Sequence, residues 1–282
     1  MKTQRWRHGL ILLVCVLSLG GCTVRLLYNW LDWAIAWKVD DYFDLTSAQS
    51  RVLKQQVAGL LRWHRTEQLP QYVLALRELS SDLKTPLTEQ QVEHHLQTFE
   101  RLSRQLADGL KGPANKVAVT LTDDQVKNFT KERWNKLGKD RAEYREQGGV
   151  KVYNSFKRKL EKNLKNWIGD LTPAQQPLVA QSAQWQQQYY ATWLDYQTCW
   201  VQAIERMLAQ RGKPEFETEL VNVLLKGSEL GDGRFKQYID DSHARSVKWF
   251  AALTASLTDR QRQTLRDKID DLASDLESLN PR

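Results

Sequence analysis

A reaction would show first in the spacing of histidines, cysteines and carboxylates, and here those spacings do not assemble one. The five histidines are His8, His64, His94, His95 and His243. None falls in H-E-x-x-H, the helical spacing that sets two imidazoles on one face around zinc. No E-x-x-H pair is present for a di-iron bundle, and Asp240-x-x-His243 occurs once without a second copy. Gly227-x-x-x-Gly231-Asp232-Gly233 lacks the lysine of a phosphate-binding loop and follows no strand pattern. No G-x-S-x-G holds a nucleophilic serine. The cysteines Cys15, Cys22 and Cys199 cannot build a disulfide framework. Cys199, in an aromatic-rich helical stretch, reads as a buried packing residue, because a reactive thiol needs an exposed, electropositive setting. The expectation is a protein that is not an enzyme, with no catalytic residues, no metal and no cofactor.

Cys22 is the cysteine whose surroundings specify chemistry. Lys2, Arg5 and Arg7 precede an apolar run over 9–19, followed by Gly20-Gly21-Cys22. A basic start, a short apolar run and small residues make a secretory signal. The run falls short of the roughly 20 residues a bilayer span requires, and Arg25, Asn29 and Asp32 prevent its extension. Leu19-Gly20-Gly21-Cys22 resembles a bacterial lipobox. The resemblance implies cleavage between Gly21 and Cys22, a diacylglycerol thioether on the sulfur and an acylated amine. Several acyl chains hold firmly where one is marginal. Thr23 rather than Asp at the next position implies, by the lipoprotein sorting rule, the outer membrane of a Gram-negative cell. A transmembrane anchor, or an ordinary signal with an incidental cysteine, are the alternatives on these residues alone.

The elements that must carry these residues are helices. The chain has 282 residues, 41% hydrophobic and 27% charged, with 11 Trp, which suits a packed core and argues against disorder. Cleavage before Cys22 leaves 38 basic and 34 acidic residues, a net +4. Five Leu-Thr pairs are followed by Gln three residues after the Thr, at Thr46, Thr88, Thr122, Thr172 and Thr258. This is the T-x-x-Q capping box, in which the Thr hydroxyl and the Gln amide satisfy orphan N–H groups at a helix start. The five Thr are therefore assigned as structural helix caps. Val92 and Val126 stand where a hydrophobic staple would meet the preceding Leu, and Pro173 stands at the first helical position. The irregular spacing of the boxes excludes a strict solenoid.

Helical periodicity follows every box. It runs from Val52 toward Pro70, then from Tyr72 to Leu83. A stripe from Val92 to Leu110 is expected to end at Gly112-Pro113, with 114–120 a loop. Val126 to Trp167 is interrupted near Gly148-Gly149, and a helix of about 38 residues, about 57 Å long, follows Thr172. Shorter helices open at Pro214, closing at Gly227, and near Phe235, and the last carries Leu265 to Leu279. The expectation is an all-α fold, an elongated multi-helix bundle of helical hairpins. Its divisions are a leader over 1–21, a lipid-anchored Trp-rich segment over 22–44, and an all-helical periplasmic domain over 45–282.

Two clusters could contact a partner. Leu26, Trp30, Trp33 and Trp37 share one helical face close to Cys22, where indoles could lie at headgroup level. Asp32, Asp40, Asp41 and Asp44 would repel anionic lipid, so packing of the Trp against the bundle is expected. The most basic stretch, 127–167, holds thirteen Lys and Arg against five acids. Lys157, Arg158, Lys159, Lys162 and Lys165 form either a solvated face or a patch for anionic lipid, lipopolysaccharide or an acidic polypeptide. A secreted lipoprotein meets little nucleic acid, so none is expected as a partner.

Tyr28-Asn29-Trp30-Leu31-Asp32-Trp33, Asp40-Asp41-Tyr42-Phe43-Asp44-Leu45-Thr46-Ser47-Ala48-Gln49 and Trp63-His64-Arg65-Thr66-Glu67-Gln68-Leu69-Pro70 together resemble a family of Gram-negative lipoproteins of unknown function. Residues 164–175 and 257–261 fit the same pattern across nearly all the mature chain. The resemblance brings no activity and no site residues. The L-T-x-x-Q boxes are similar to those of the small Spy/CpxP-type periplasmic chaperones, and Phe43-Asp44-Leu45-Thr46-Ser47-Ala48 faintly resembles a motif of helical lipase foldases. The leading expectation is a periplasm-facing outer-membrane lipoprotein, held to the membrane by its lipid anchor, with a binding or structural role toward an envelope protein or anionic lipid. A chaperone-like binder of unfolded or envelope proteins is the alternative, and an enzyme the third. Oligomeric state is not fixed by the sequence.

Overall fold

The computed structural model describes residues 28, 30–225 and 233–280. Among the described residues every regular element is helical. In order they are α1 (Leu31–Phe43), α2 (Ser47–Trp63), a π turn (His64–Gln68), α3 (Leu69–Asp82), α4 (Glu89–Ala118), α5 (Asp123–Ile168), α6 (Gln176–Ala209), α7 (Glu215–Leu225), α8 (Arg234–Ala255) and α9 (Asp259–Ser278). The fold is the expected elongated all-α bundle. The leader, the Gly21–Cys22 junction, Leu26 and most of the Gly227–Gly233 stretch lie outside the described residues.

The boxes start helices as their chemistry requires. At Thr46, Thr88, Thr122 and Thr258 the hydroxyl accepts from the backbone N–H of the Gln, while the Gln side chain accepts from the Thr N–H. Leu87 with Val92, and Leu121 with Val126, share core clusters, so both staples form. Thr172 closes only half a box. Its N–H donates to Gln175 Oε1 at 2.9 Å, but its Oγ1 is buried without a hydrogen-bond partner among the described residues. Residues 173–175 form a turn, and the helix starts at Gln176, so Pro173 is not in the first helical position. The expected 38-residue helix is accordingly 34 residues, about 51 Å.

Two prolines act differently from expectation. Pro113 lies inside α4, which continues to Ala118, and 114–118 is helix rather than loop. Packing outweighs the lost hydrogen bond: Val117 and Ala118 contribute to two core clusters, and Asn115 Nδ2 donates to Glu217 at 3.0 Å. At Pro70 the chain does not leave the helical path; the π turn joins α2 to α3, with Pro70 in the first turn of α3. A wider turn accommodates the ring and the missing N–H of proline. The break in α5 is real: Gly148 takes φ 63°, ψ −172°, a conformation close to glycine-only.

Among the described residues four apolar clusters form the core, and they are joined through shared side chains. Leu45 bridges the first and second, Leu76 the first and fourth, and Leu265 the third and fourth. Trp167 packs against three of them. The first cluster draws Leu53, Val57 and Leu61 from α2, Leu69 and Val73 from α3, and Leu272, Ala273 and Leu276 from α9. Trp63 lies over Gly109, whose missing Cβ lets α4 approach the indole.

Candidate functional site

The box glutamines do more than cap. Gln49 and Gln125 exchange reciprocal amide bonds, each 2.9 Å. Gln49 Nε2 also donates to the Thr120 carbonyl at 2.5 Å and Gln125 Nε2 to the Asp44 carbonyl at 3.0 Å. Gln175 and Gln261 repeat this pattern, at 2.8 and 3.1 Å between amides, with donation to the Ser256 and Asp170 carbonyls. In each clasp, each glutamine reaches the carbonyl two residues before the other's threonine. Both donors and both acceptor lone pairs of all four amides are used. The boxes at Thr46, Thr122, Thr172 and Thr258 are thus cross-links within the body. Gln91 of the Thr88 box caps its own helix start, and Leu87 N–H is taken by Thr254 Oγ1 at 3.0 Å.

The three tryptophans nearest Cys22 do not pack into the bundle. Trp30, Trp33 and Trp37 are 64%, 61% and 46% exposed, which overturns the expectation that they bury against it. Leu31, Ile35, Ala36 and Val39 take the inner face of α1 against the first cluster, and Tyr42 and Phe43 reach Phe129. That leaves the i, i+3, i+7 face outward. Trp33 and Trp37 stack at 6.2 Å with planes 13° apart, and Trp30 meets Trp33 edge-on at 6.2 Å. Asp32 in the first turn suits the helix dipole and accepts from the Trp33 N–H. Lys38 sits over the rings of Trp37 and Tyr42 and pairs with Asp41 at 2.5 Å. Asp44, in the left-handed region at φ 48°, ends the helix.

A buried aromatic anchor fixes where this ladder begins. Tyr28 is buried, stacks on His64 and directs its hydroxyl to His64 Nδ1 at 2.8 Å. The Arg65 guanidinium lies 5.0 Å from the Tyr28 ring centre. Burial pushes His64 down to about 4, so the ring is neutral and can accept from the phenol. Burial, with the neighbouring Tyr28, pushes Tyr72 up to about 12. The π turn thus supplies the imidazole that holds the chain two residues before the first exposed indole.

The basic cluster is partly neutralised. Lys157 lies 3.7 Å from Glu161, and Lys165 pairs with Asp170 at 2.7 Å, which holds the Lys165 ammonium above its usual range. Lys159 also has a partner. The acidic α9 meets this region through Lys268, which donates to the Asn166 carbonyl. Cys199 is only half-buried, not buried as expected.

A cavity of about 250 Å³ between α5 and α6 is lined by Gly138, Arg141, Tyr144, Arg145, Leu194 and Asp195, among others. Two of its charges, Arg141 and Asp195, are committed to each other: Arg141 donates to the Leu194 carbonyl, Asp195 and Thr198 at 2.8–3.0 Å. Sequence spacing missed a further cluster, in which Glu78, His94 and His95 from two helices come within ligand distance of one another.

No curated protein and no solved structure matches the chain. One family model does, over residues 41–236. That span takes in the first four boxes and omits the Tyr28–Trp33 stretch and the Thr258 box. With well over half of its length covered, the chain belongs to a family of unknown function, DUF6279.

Proposed function

We propose that this chain is a lipid-anchored protein of the Gram-negative outer membrane, facing the periplasm, and that the Trp ladder of α1 rests on the membrane surface. The single observation that carries the reading is the exposure of Trp30, Trp33 and Trp37 so near the lipobox cysteine. Trp30 is eight positions after Cys22, at most about 28 Å of extended chain. An acylated Cys22 would therefore keep the indoles within reach of the headgroups, where Trp is favoured. Asp32, Asp40 and Asp41 on the same helix suit a zwitterionic rather than an anionic surface. The helical body then faces outward as a binding or structural element.

Cys22→Ser tests the anchor. It should abolish fatty-acid labelling and leave the precursor unprocessed or the product soluble; normal labelling would overturn it. The ladder is tested on soluble chain beginning after Cys22. Phosphatidylcholine vesicles should blue-shift its Trp emission, with little effect of salt. The Trp30, Trp33 and Trp37→Ala triple variant should lose that shift, and an unchanged shift would sink the proposal. The same exposed aromatics favour a second reading, a chaperone-like surface for unfolded clients. In that case the parent, but not the triple variant, suppresses aggregation of a denatured protein in the absence of lipid. For the basic cluster, Lys157, Arg158 and Lys162→Gln should weaken association with anionic lipid vesicles, as added salt should, if it is an anion-binding patch, and leave it unchanged if it is a solvated face.

A further inference from the structure

We propose that Glu78, His94 and His95 form a binding site for a divalent transition-metal cation of the zinc type. This rests on a different part of the molecule from the membrane reading and does not depend on it. α3 and α4 are joined by the short connection over 83–88, so the end of one lies beside the start of the other. Glu78 comes from the last turn and a half of α3, and His94 and His95 from the second turn of α4. One ligating atom from each lies within 4.8 Å of the other two.

One internal distance already suits a metal, and the 4.8 Å span leaves His95 a small side-chain movement from the same ion. His94 Nε2 stands 3.0 Å from Glu78 Oε1. Two ligand atoms on a tetrahedral zinc, each about 2.0–2.1 Å from the ion, are about 3.3 Å apart. Asp82, one helical turn after Glu78, holds His95 Nε2 at 3.0 Å. A carboxylate on one ring nitrogen fixes the imidazole and raises the basicity of the other, as it does for metal-ligating histidines. His95 and Asp82 are mostly covered, whereas His94 and Glu78 are half exposed, so the site is open to solvent on one side. Two imidazoles and a carboxylate suit zinc, nickel or copper, with water completing the shell; calcium and magnesium prefer oxygen ligands. The adjacent pair His243–Glu93, at 2.7 Å, ties α8 to α4 and serves as a control.

The test is calorimetric titration of the metal-free mature chain in detergent, without a polyhistidine tag, with zinc chloride. One zinc per chain is expected in the micromolar range, and no heat from calcium chloride. His94→Gln and His95→Gln should each weaken zinc at least tenfold, and Asp82→Asn about tenfold by releasing the His95 ring. His243→Gln should bind like the parent. No zinc heat from the parent, or parent affinity in the His94→Gln, His95→Gln double variant, would overturn the proposal. Circular dichroism of the metal-free variants separates a lost site from a lost fold. If the double variant misfolds, retention of parent affinity in Glu78→Gln overturns the proposal in its place.

Discussion

The two glutamine clasps have the same wiring and differ in their surroundings. In the clasp of Gln49 and Gln125 both threonine hydroxyls cap, and Gln125 remains half exposed. In the clasp of Gln175 and Gln261 both amides are buried, Gln175 completely, and the Thr172 hydroxyl caps nothing. The difference separates two jobs that one short motif performs. Thr starts a helix, whereas Gln joins two helix starts that are far apart in sequence. Where the amide is fully buried the joining persists even though the helix begins four residues after its Thr.

The largest effect should come from Gln175→Ala. It strands the Thr172 N–H, the Ser256 carbonyl and half of the Gln261 amide, and should cost about 4 kcal/mol in urea unfolding. Gln125→Ala, where water can replace the lost partners, should cost about 2 kcal/mol. Equal losses at the two would break the comparison.

Acid should weaken the end that contains Gln49 before the other. Neither clasp titrates, but His64 closes the far end of α2. Its ring is held at about 4 in the fold against about 6.5 in the unfolded chain. Above pH 6.5 both states hold it neutral. As pH falls from 6.5 to 4 only the unfolded state takes up the proton, so stability drops, by about 3 kcal/mol at most. Urea midpoints between pH 7 and 4.5 should show the fall, and His64→Gln should flatten it. Hydrogen exchange should place the loosening first at α1, α2 and α3.

A double-mutant cycle of Gln49 and Gln125 to Ala should give a coupling of about 1 kcal/mol; additivity would mean the amides cap separately. The smallest contrast is between the threonines. Thr46→Ala should cost about 1 kcal/mol, and Thr172→Ala less than about 0.5 kcal/mol, since its hydroxyl makes no bond to lose. A matching loss at both would show that Thr172 caps in solution.

Periodicity and box chemistry made the helices legible in the sequence, because both are local. What escaped was non-local. Nothing in T-x-x-Q tells which glutamine meets which. Pro113 reads as a stop until Val117 and Ala118 are seen to pack. The outward Trp face could not be told from an inward one, since Leu31, Ile35 and Val39 supply α1 with a second apolar stripe. Likewise, Glu78 and the His94–His95 pair sit on different helices and form no recognisable spacing. The Thr172 box misled for a different reason: the turn over 173–175 keeps the Gln contact while discarding the hydroxyl bond.

The first core cluster has a consequence in time. It joins α2 and α3 to α9, far apart in sequence, and the Arg77–Glu277 contact closes over the same seam. During synthesis α2 and α3 can pack early against α1 and then α4, but the seam that α9 covers stays open until the chain is nearly complete. The amino-terminal end, although made first, is therefore among the last parts to complete its core. Such a chain seals its first-made end with its last-made helix, and closes that core only once the whole of it has arrived in one place.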